Sequence, residues 1–242
     1  MKIALIGYGK MGKAIERIAI ERGHEIVSIV DLNNPEEFDS DNFKSADVAI
    51  EFTTPKSAVD NYAKAFAKGV PVVSGSTGWT ERMPEVEKMV ADSDATFFWT
   101  SNFSIGVNIF FELSKKLSRL MAPFPQYKPY LTETHHIHKL DHPSGTAVTL
   151  ANDIVANSPA VDSWSEEVPA SDTTLIVSHE RRAEVPGIHT ITWESPVDLI
   201  SITHSAKSRE GFALGAVMAA EWVKGKKGVL SMEQFMQSLI NQ

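Results

Sequence analysis

Glu133-Thr134-His135-His136-Ile137-His138-Lys139-Leu140-Asp141-His142-Pro143-Ser144-Gly145-Thr146 gathers an unusual number of reactive side chains. It holds four of the eight histidines and a lysine, in a chain of formal net charge −8. Imidazole titrates near neutrality and can give or take a proton. Lysine and imidazolium donate charge-assisted hydrogen bonds to anions. Ser144-Gly145-Thr146 has the form of a capped helix start, whose free N–H groups and dipole favour a carboxylate. The stretch therefore reads as an anion-binding and proton-transfer site. Two other readings compete. A solvated polar loop leaves the clustered histidines unexplained. A metal-dependent hydrolase would draw its ligands from His135, His138 and His142, with Glu133 and Asp141 nearby. Strand alternation, however, sends His135 and His136 to opposite faces, and no metal is expected.

A second constellation opens the chain. Gly7-Tyr8-Gly9-Lys10-Met11-Gly12 follows a short apolar run and precedes a helical pattern. In that setting Gly7 allows the tight turn, Gly9 lets the backbone approach a pyrophosphate, and Gly12 lets the helix pack close to the sheet. Asp31 ends the next β-run, about 20 residues further on, where an acidic group accepts from ribose hydroxyls. Leu32-Asn33-Asn34-Pro35-Glu36-Glu37 after it contains no base to pair a 2′-phosphate. NADH is therefore expected as the preferred cofactor, with NADPH admitted only if a base such as Lys10 or Lys13 folds over. Phe52-Thr53-Thr54 and Gly75-Ser76-Thr77 fall at carboxyl ends of further strands, where open α/β sheets bind ligands. Phe52, Thr53, Gly75, Ser76 and Thr77 join the expected cofactor site.

Composition narrows the field. The chain has 242 residues, 43% of them apolar and 22% charged, as in an ordinary globular protein. It has no cysteine, which removes disulfides, thiolate catalysis and iron–sulfur clusters. Net acidity argues against nucleic acid as partner. Every apolar run is broken before about 18 residues, so no membrane span is expected. Met1-Lys2 leads through Ile3-Ala4-Leu5-Ile6 straight into the glycine loop, too short a run for a secretory signal, and a cytoplasmic location is expected.

The elements that must position these residues follow from periodicity. Strand-like runs at Lys2–Ile6, Ile26–Val30, Val48–Phe52, Val70–Ser74 and Ala95–Trp99 alternate with helical patterns at Lys10–Arg22, from Thr54-Pro55 to Gly69, and at Glu81–Ala91. Such alternation means βαβ units and a mostly parallel sheet. Ser104–Met121 then reads as a long helix. Tyr130–Ile137 reads as a strand and Ser144–Ala156 as a helix capped by Ser144. Thr173–His179, His189–Glu194 and Asp198–His204 are β-rich with little helix between them, the mark of a second domain with a mixed or antiparallel sheet. Ala213–Val223 is helical again, and Ser231-Met232-Glu233-Gln234 is a capping box. The expected organisation is α/β: residues 1–103 and 213–242 as a Rossmann-type dinucleotide-binding domain, and 104–212 as a substrate domain.

The stretch Glu133-x-His135-His136-x-x-Lys139-x-Asp141-x-Pro143-Ser144-Gly145-Thr146-Ala147 resembles the signature of the dihydrodipicolinate reductase family of the diaminopimelate–lysine pathway. The resemblance extends to Gly9-Lys10-Met11-Gly12, Phe52-Thr53, Gly75-Ser76-Thr77-Gly78, Asn102-Phe103-Ser104-x-Gly106-Val107-Asn108 and His204-Ser205-Ala206-x-Ser208-Arg209-x-x-Phe212-Ala213-x-Gly215-Ala216. It implies C-terminal helices that return to the first domain and a second domain whose sheet builds a homotetramer. It implies hydride transfer from a reduced nicotinamide to an unsaturated cyclic dicarboxylate. By position, His135 is the implied proton donor and Lys139 its catalytic partner. His136, Lys139, Ser144, Gly145 and Thr146 are the implied carboxylate ligands, and Thr100, Ser101, Asn102 and Phe103 lie against the nicotinamide. The loop before Gly9 is one residue shorter than is usual in the family, Leu32 stands where many relatives carry a base, and the chain is short. A different nicotinamide oxidoreductase, or a non-catalytic NAD(H) sensor, would leave the histidine–lysine cluster without a role.

Overall fold

The computed structural model describes residues 1–167, 171–208 and 210–240. The chain divides into two compact units, Met1–Ile105 with Glu210–Gln242, and Gly106–Arg209. Along the first unit run β1 (Lys2–Ile6), α1 (Lys10–Glu21), β2 (Glu25–Val30), the single turn α2 (Asp41–Lys44), β3 (Val48–Glu51), α3 (Pro55–Ala67), β4 (Val72–Ser74), α4 (Met83–Ser93) and β5 (Thr96–Trp99). α5 (Ile105–Met121) leads into the second unit, which continues with β6 (Lys128–His135), α6 (Gly145–Asn157), β7 (Ser163–Ser165), β8 (Thr174–Arg181), β9 (Ile188–Glu194) and β10 (Leu199–Ser205). The chain then rejoins the first unit through α7 (Glu210–Trp222), β11 (Gly228–Leu230) and α8 (Met232–Ile240).

The first sheet runs β11-β5-β4-β3-β1-β2, with every neighbouring pair parallel. Its strands are continuous apolar runs because both faces are covered. In β1, Ile3 and Leu5 enter the core shared with α1, α7 and α8, while Ala4 and Ile6 enter the one shared with α3 and α4. Strand order reverses beside β1, with β2 on one side and β3 on the other. Ligands bind at such a switch point, beyond the carboxyl ends of the strands. β11 was not expected from the sequence. It is three residues long, and only its pairing with β5 makes it a strand.

The second sheet runs β10-β9-β6-β8-β7 and is mixed. β6 pairs parallel with β8 and antiparallel with β9. Its alternation turns Leu131, Glu133 and His135 to the buried side, and Leu131 joins the core formed with Leu150, Ala151 and Ile154 of α6. The strand starts and stops two residues earlier than the expected Tyr130–Ile137. Pro129 suggests a break, but it stands before the pairing with β8 begins, where a missing N–H is tolerated. Ile137 extends the apolar pattern, yet the chain has already left the ladder there and its side chain is exposed. Among the described residues, no helix is long and apolar enough to cross a membrane.

Candidate active site

In the first unit the glycine loop closes the end of β1. Gly7 adopts φ +92° and donates to the carbonyl of Val30 at 2.8 Å. A Cβ at Gly7 would stand 2.2 Å from the carbonyl oxygen of Phe52, and one at Gly12 would stand 2.3 Å from that of Gly7. Neither position admits a side chain. A Cβ at Gly9 would meet nothing within 4 Å, which leaves open space over the start of α1. The first N–H groups of that helix have no intrahelical acceptor. A cleft of about 390 Å³ adjoins this loop, lined by Gly7, Tyr8, Gly9, Asp31, Phe52, Thr53 and others. An open glycine turn, free N–H groups and an acidic residue at the end of β2 fit a dinucleotide.

The lining also holds Lys64, from α3, on the same cleft as Asp31. Its ammonium lies 5.2 Å over the Phe38 ring. Lys10 and Lys13 are the bases that the sequence near the glycine loop offers to a 2′-phosphate. Lys10 is exposed, and the Lys13 ammonium lies 5.7 Å over the Tyr8 ring. Lys64 is remote in sequence, and only the fold, which packs α3 into one core with β1 and β3, brings it to this cleft.

Glu51 is a second residue that sequence reasoning passed over, although a carboxylate at the end of a buried parallel strand is itself a signal. It is fully buried and accepts from Ser74 Oγ at 2.6 Å, from Ser76 Oγ at 2.9 Å and from the Thr53 hydroxyl. Burial pushes its carboxyl above the usual range, against those hydrogen bonds. The Thr53 N–H donates to Ser76 Oγ at 2.8 Å. The hydroxyls of Thr53 and Ser76 thus serve this buried network, which locks the loops after β3 and β4 together. Thr77 is exposed. Beyond β5, Thr100 and Asn102 brace each other, with the Asn102 N–H 3.2 Å from Thr100 Oγ1. Ser101 is exposed, whereas Phe103 is buried against Phe52 and Phe98. Met11 packs against the core.

In the second unit the end of β6 gathers Glu133, His135 and His189. Glu133 faces His189 across the β6–β9 ladder. His189 Nε2 lies 3.4 Å from Glu133 and 3.1 Å from Ser144 Oγ. His135 Nδ1 lies 3.5 Å from Glu133 and makes no hydrogen bond. Its Nε2 would stand 3.1 Å from a Cβ at Gly187, so that glycine leaves the ring its space. Burial lowers the His135 imidazole to about 4; the Glu133 carboxylate opposes the shift, and His189, Lys139 and Arg181 add to it. Burial alone would raise Glu133, but hydrogen bonds from His189 and Ser144, with His135 beside it, hold it down at about 2. Glu133 is therefore a carboxylate and His135 a neutral imidazole at pH 7. One donor atom from each of Glu133, His135 and His189 lies within 4.8 Å of the others, close enough to share a cation.

Ser144 is buried and caps α6, its Oγ accepting from the Ala147 N–H at 3.2 Å while its own N–H donates to Glu133 at 3.1 Å. The outward donors of this helix start are the N–H groups of Gly145, which is exposed, and Thr146, half-buried. The Lys139 ammonium bonds both oxygens of Asp141 at 2.8 Å. Arg181, unremarked in the sequence, staples this loop: its Nε donates to the carbonyl of Lys139 at 3.1 Å and its Nη2 to that of Asp141 at 2.7 Å. His136 lies one residue beyond the end of β6, with a buried Nδ1 that has no partner. Strand alternation therefore does not govern its direction. His135, His138 and His142 are not gathered: His138 pairs with Glu184, and His142 with Glu166. Arg209 of the C-terminal motif lies outside the described residues.

Comparison with known proteins identifies the family. The family model "Dihydrodipicolinate reductase, N-terminus" matches residues 1–103, and "Dihydrodipicolinate reductase, C-terminus" matches residues 106–236. A 4-hydroxy-tetrahydrodipicolinate reductase of Christiangramia forsetii is 45% identical over 240 residues, covering 99% of each chain, so this chain's short length is shared with that relative. One of Archaeoglobus fulgidus is 32% identical over 264 residues, covering 98% of this chain and all of its own. A solved dipicolinate-bound dihydrodipicolinate reductase from Paenisporosarcina sp. TG-14 has the same fold, with TM-score 0.74 at 22% identity over 96% of this chain and 97% of that one. The chain belongs to the dihydrodipicolinate reductase family.

Proposed function

We propose that the chain is a 4-hydroxy-tetrahydrodipicolinate reductase, which reduces a dihydrodipicolinate-type cyclic dicarboxylate to tetrahydrodipicolinate in lysine and diaminopimelate biosynthesis. The observation that carries this reading is the end of β6, where His135 lies buried against the Glu133 carboxylate beside the capped N-terminus of α6. The nicotinamide, when bound, supplies a hydride. The first unit is the dinucleotide-binding domain: the N–H groups at the start of α1 hold the pyrophosphate and Asp31 accepts from the ribose hydroxyls. NADH is the preferred cofactor, because Asp31 repels a 2′-phosphate.

The second unit binds substrate. Gly145 and Thr146 N–H groups hold one carboxylate, supported by the helix dipole. Lys139 supplies charge and His136 a ring nitrogen for the other. The arriving dianion favours the charged form of His135, which burial holds neutral beforehand. His135 then carries the proton that the developing negative charge on substrate nitrogen requires, with Lys139 as its electrostatic partner. Glu133 orients His135 and His189. Exposed Val197, Leu199 and Ile200 around the start of β10 support assembly into a homotetramer through this sheet. A cytoplasmic location suits a biosynthetic enzyme with these substrates.

The test is oxidation of NADH and NADPH, followed by absorbance with a chelator present. Substrate is made in situ from pyruvate and aspartate semialdehyde by a synthase. Oxidation that depends on the synthase product is expected. His135→Gln and Lys139→Ala should each cut turnover by about 10²–10⁴. Cofactor binding without oxidation would overturn the assignment.

A further inference from the structure

A second cluster of histidines lies outside the proposed chemistry. His142 sits in the loop between β6 and α6, Glu166 follows β7, and His179 is on β8. His142 Nδ1 and His179 Nδ1 each lie 3.0 Å from the same oxygen, Glu166 Oε1. Their rings stack with centroids 4.2 Å apart and planes 20° apart. The family signature leaves position 142 open and includes neither Glu166 nor His179, so these residues are not accounted for by substrate binding.

We infer that His142, Glu166 and His179 form a surface site for a divalent transition-metal ion of the zinc class. The inference goes beyond the reductase reading and stands without it. Three donor atoms from three separate segments converge, each within 4.8 Å of the others. Two ligands each about 2.0 Å from a tetrahedral ion stand about 3.3 Å apart, and each imidazole Nδ1 stands 3.0 Å from Glu166 Oε1. Two imidazoles and a carboxylate suit zinc, nickel or copper over magnesium or calcium. Imidazole Nδ1 is a competent ligand in its neutral form. The side chains are 50%, 25% and 35% exposed for His142, Glu166 and His179, so the rings can tilt toward an ion and water can complete its shell. An ion there ties the loop that carries Lys139 and Ser144 to β8. With the Arg181 hydrogen bonds to the carbonyls of Lys139 and Asp141, it would be a second clamp on this loop.

The experiment is equilibrium dialysis of the full-length chain against zinc chloride, read by elemental analysis, with cobalt absorption as a reporter of coordination geometry. One zinc per chain is expected, with a tetrahedral cobalt spectrum. His142→Ala and His179→Ala should each weaken zinc binding roughly tenfold or more, and Glu166→Gln should weaken it with little change in shape. His138→Ala, which alters an exposed histidine paired with Glu184, should leave zinc binding unchanged. Zinc should raise the thermal midpoint of the wild-type chain and not that of His142→Ala. A wild-type chain that retains no zinc would overturn the proposal. So would zinc binding that survives the His142, His179 and Glu166 substitutions, which would put the ion on other donors. None of these readouts needs turnover, so failure here and failure of the reductase assignment are separate results.

Discussion

Asp31 and Lys64 line one cleft with opposite charges. The carboxylate at the end of β2 favours free ribose hydroxyls, and the ammonium from α3 offers a partner to a 2′-phosphate. Asp31→Ala should therefore weaken NADH far more than NADPH. Lys64→Met should do the reverse, and dissociation constants for both cofactors with both variants check the pair. His135 and Glu133 make a different residue-level prediction, about pH. The folded chain holds His135 at about 4, below its ordinary 6.5, so between those values the unfolded chain binds a proton that the folded chain does not. Stability must fall as pH drops from about 6.5 to 4. Glu133, held at about 2 below its ordinary 4.5, adds a loss with the same sign as pH falls through that lower range. Each group contributes at most about 1.4 kcal/mol per pH unit. Urea midpoints across pH 3–7 should show both arms, and His135→Gln should flatten the upper one.

Elements hold these residues by few but specific contacts. The start of α6 depends on Ser144, which caps the helix, donates to Glu133 and bonds His189. Ser144→Ala should cost about 1 kcal/mol through the lost cap. It should also raise the substrate KM while leaving the cofactor dissociation constant alone; urea unfolding and steady-state kinetics separate the two effects. The loops after β3 and β4 depend on Glu51, a buried carboxylate that no ligand need touch. Helix α6, the capping box at Ser231 and β1 could all be read locally, because cap chemistry and short apolar runs are properties of adjacent residues. Ser231 and Gln234 bond each other's N–H groups as that box requires. β6 was displaced by two residues because its ends are set by β8 and β9, which lie far along the chain.

At the scale of the whole molecule, one chain builds two units and uses its C-terminal segment to finish the first. α7 and α8 bury Ala213, Ala216, Val217 and Phe235 in the core that also holds β1. The homotetramer proposed through the second sheet predicts a sedimentation mass of about four chains. Leu199→Asp, at the exposed start of β10, should shift that mass toward smaller species without unfolding either unit. A wild-type chain that sediments as a monomer would remove that part of the reading.

Local chemistry already contained the two halves of the site. The glycine spacing after a first strand, Asp31 about 20 residues on, and the histidine–lysine run before Ser144 are patterns of near neighbours, and near neighbours fix turns, caps and strand ends. Pairings between distant segments were decided only by the fold. Lys64 came to line the cleft of Asp31 through the packing of α3, and Arg181 came to staple the Lys139–Asp141 loop through the register of β8 against β6. Glu133 met His189 across strands far apart in the chain, and His142 of the β6–α6 loop met His179 of β8. Strand register and helix packing follow from burying apolar faces over the whole chain, and no local window of sequence carries that information.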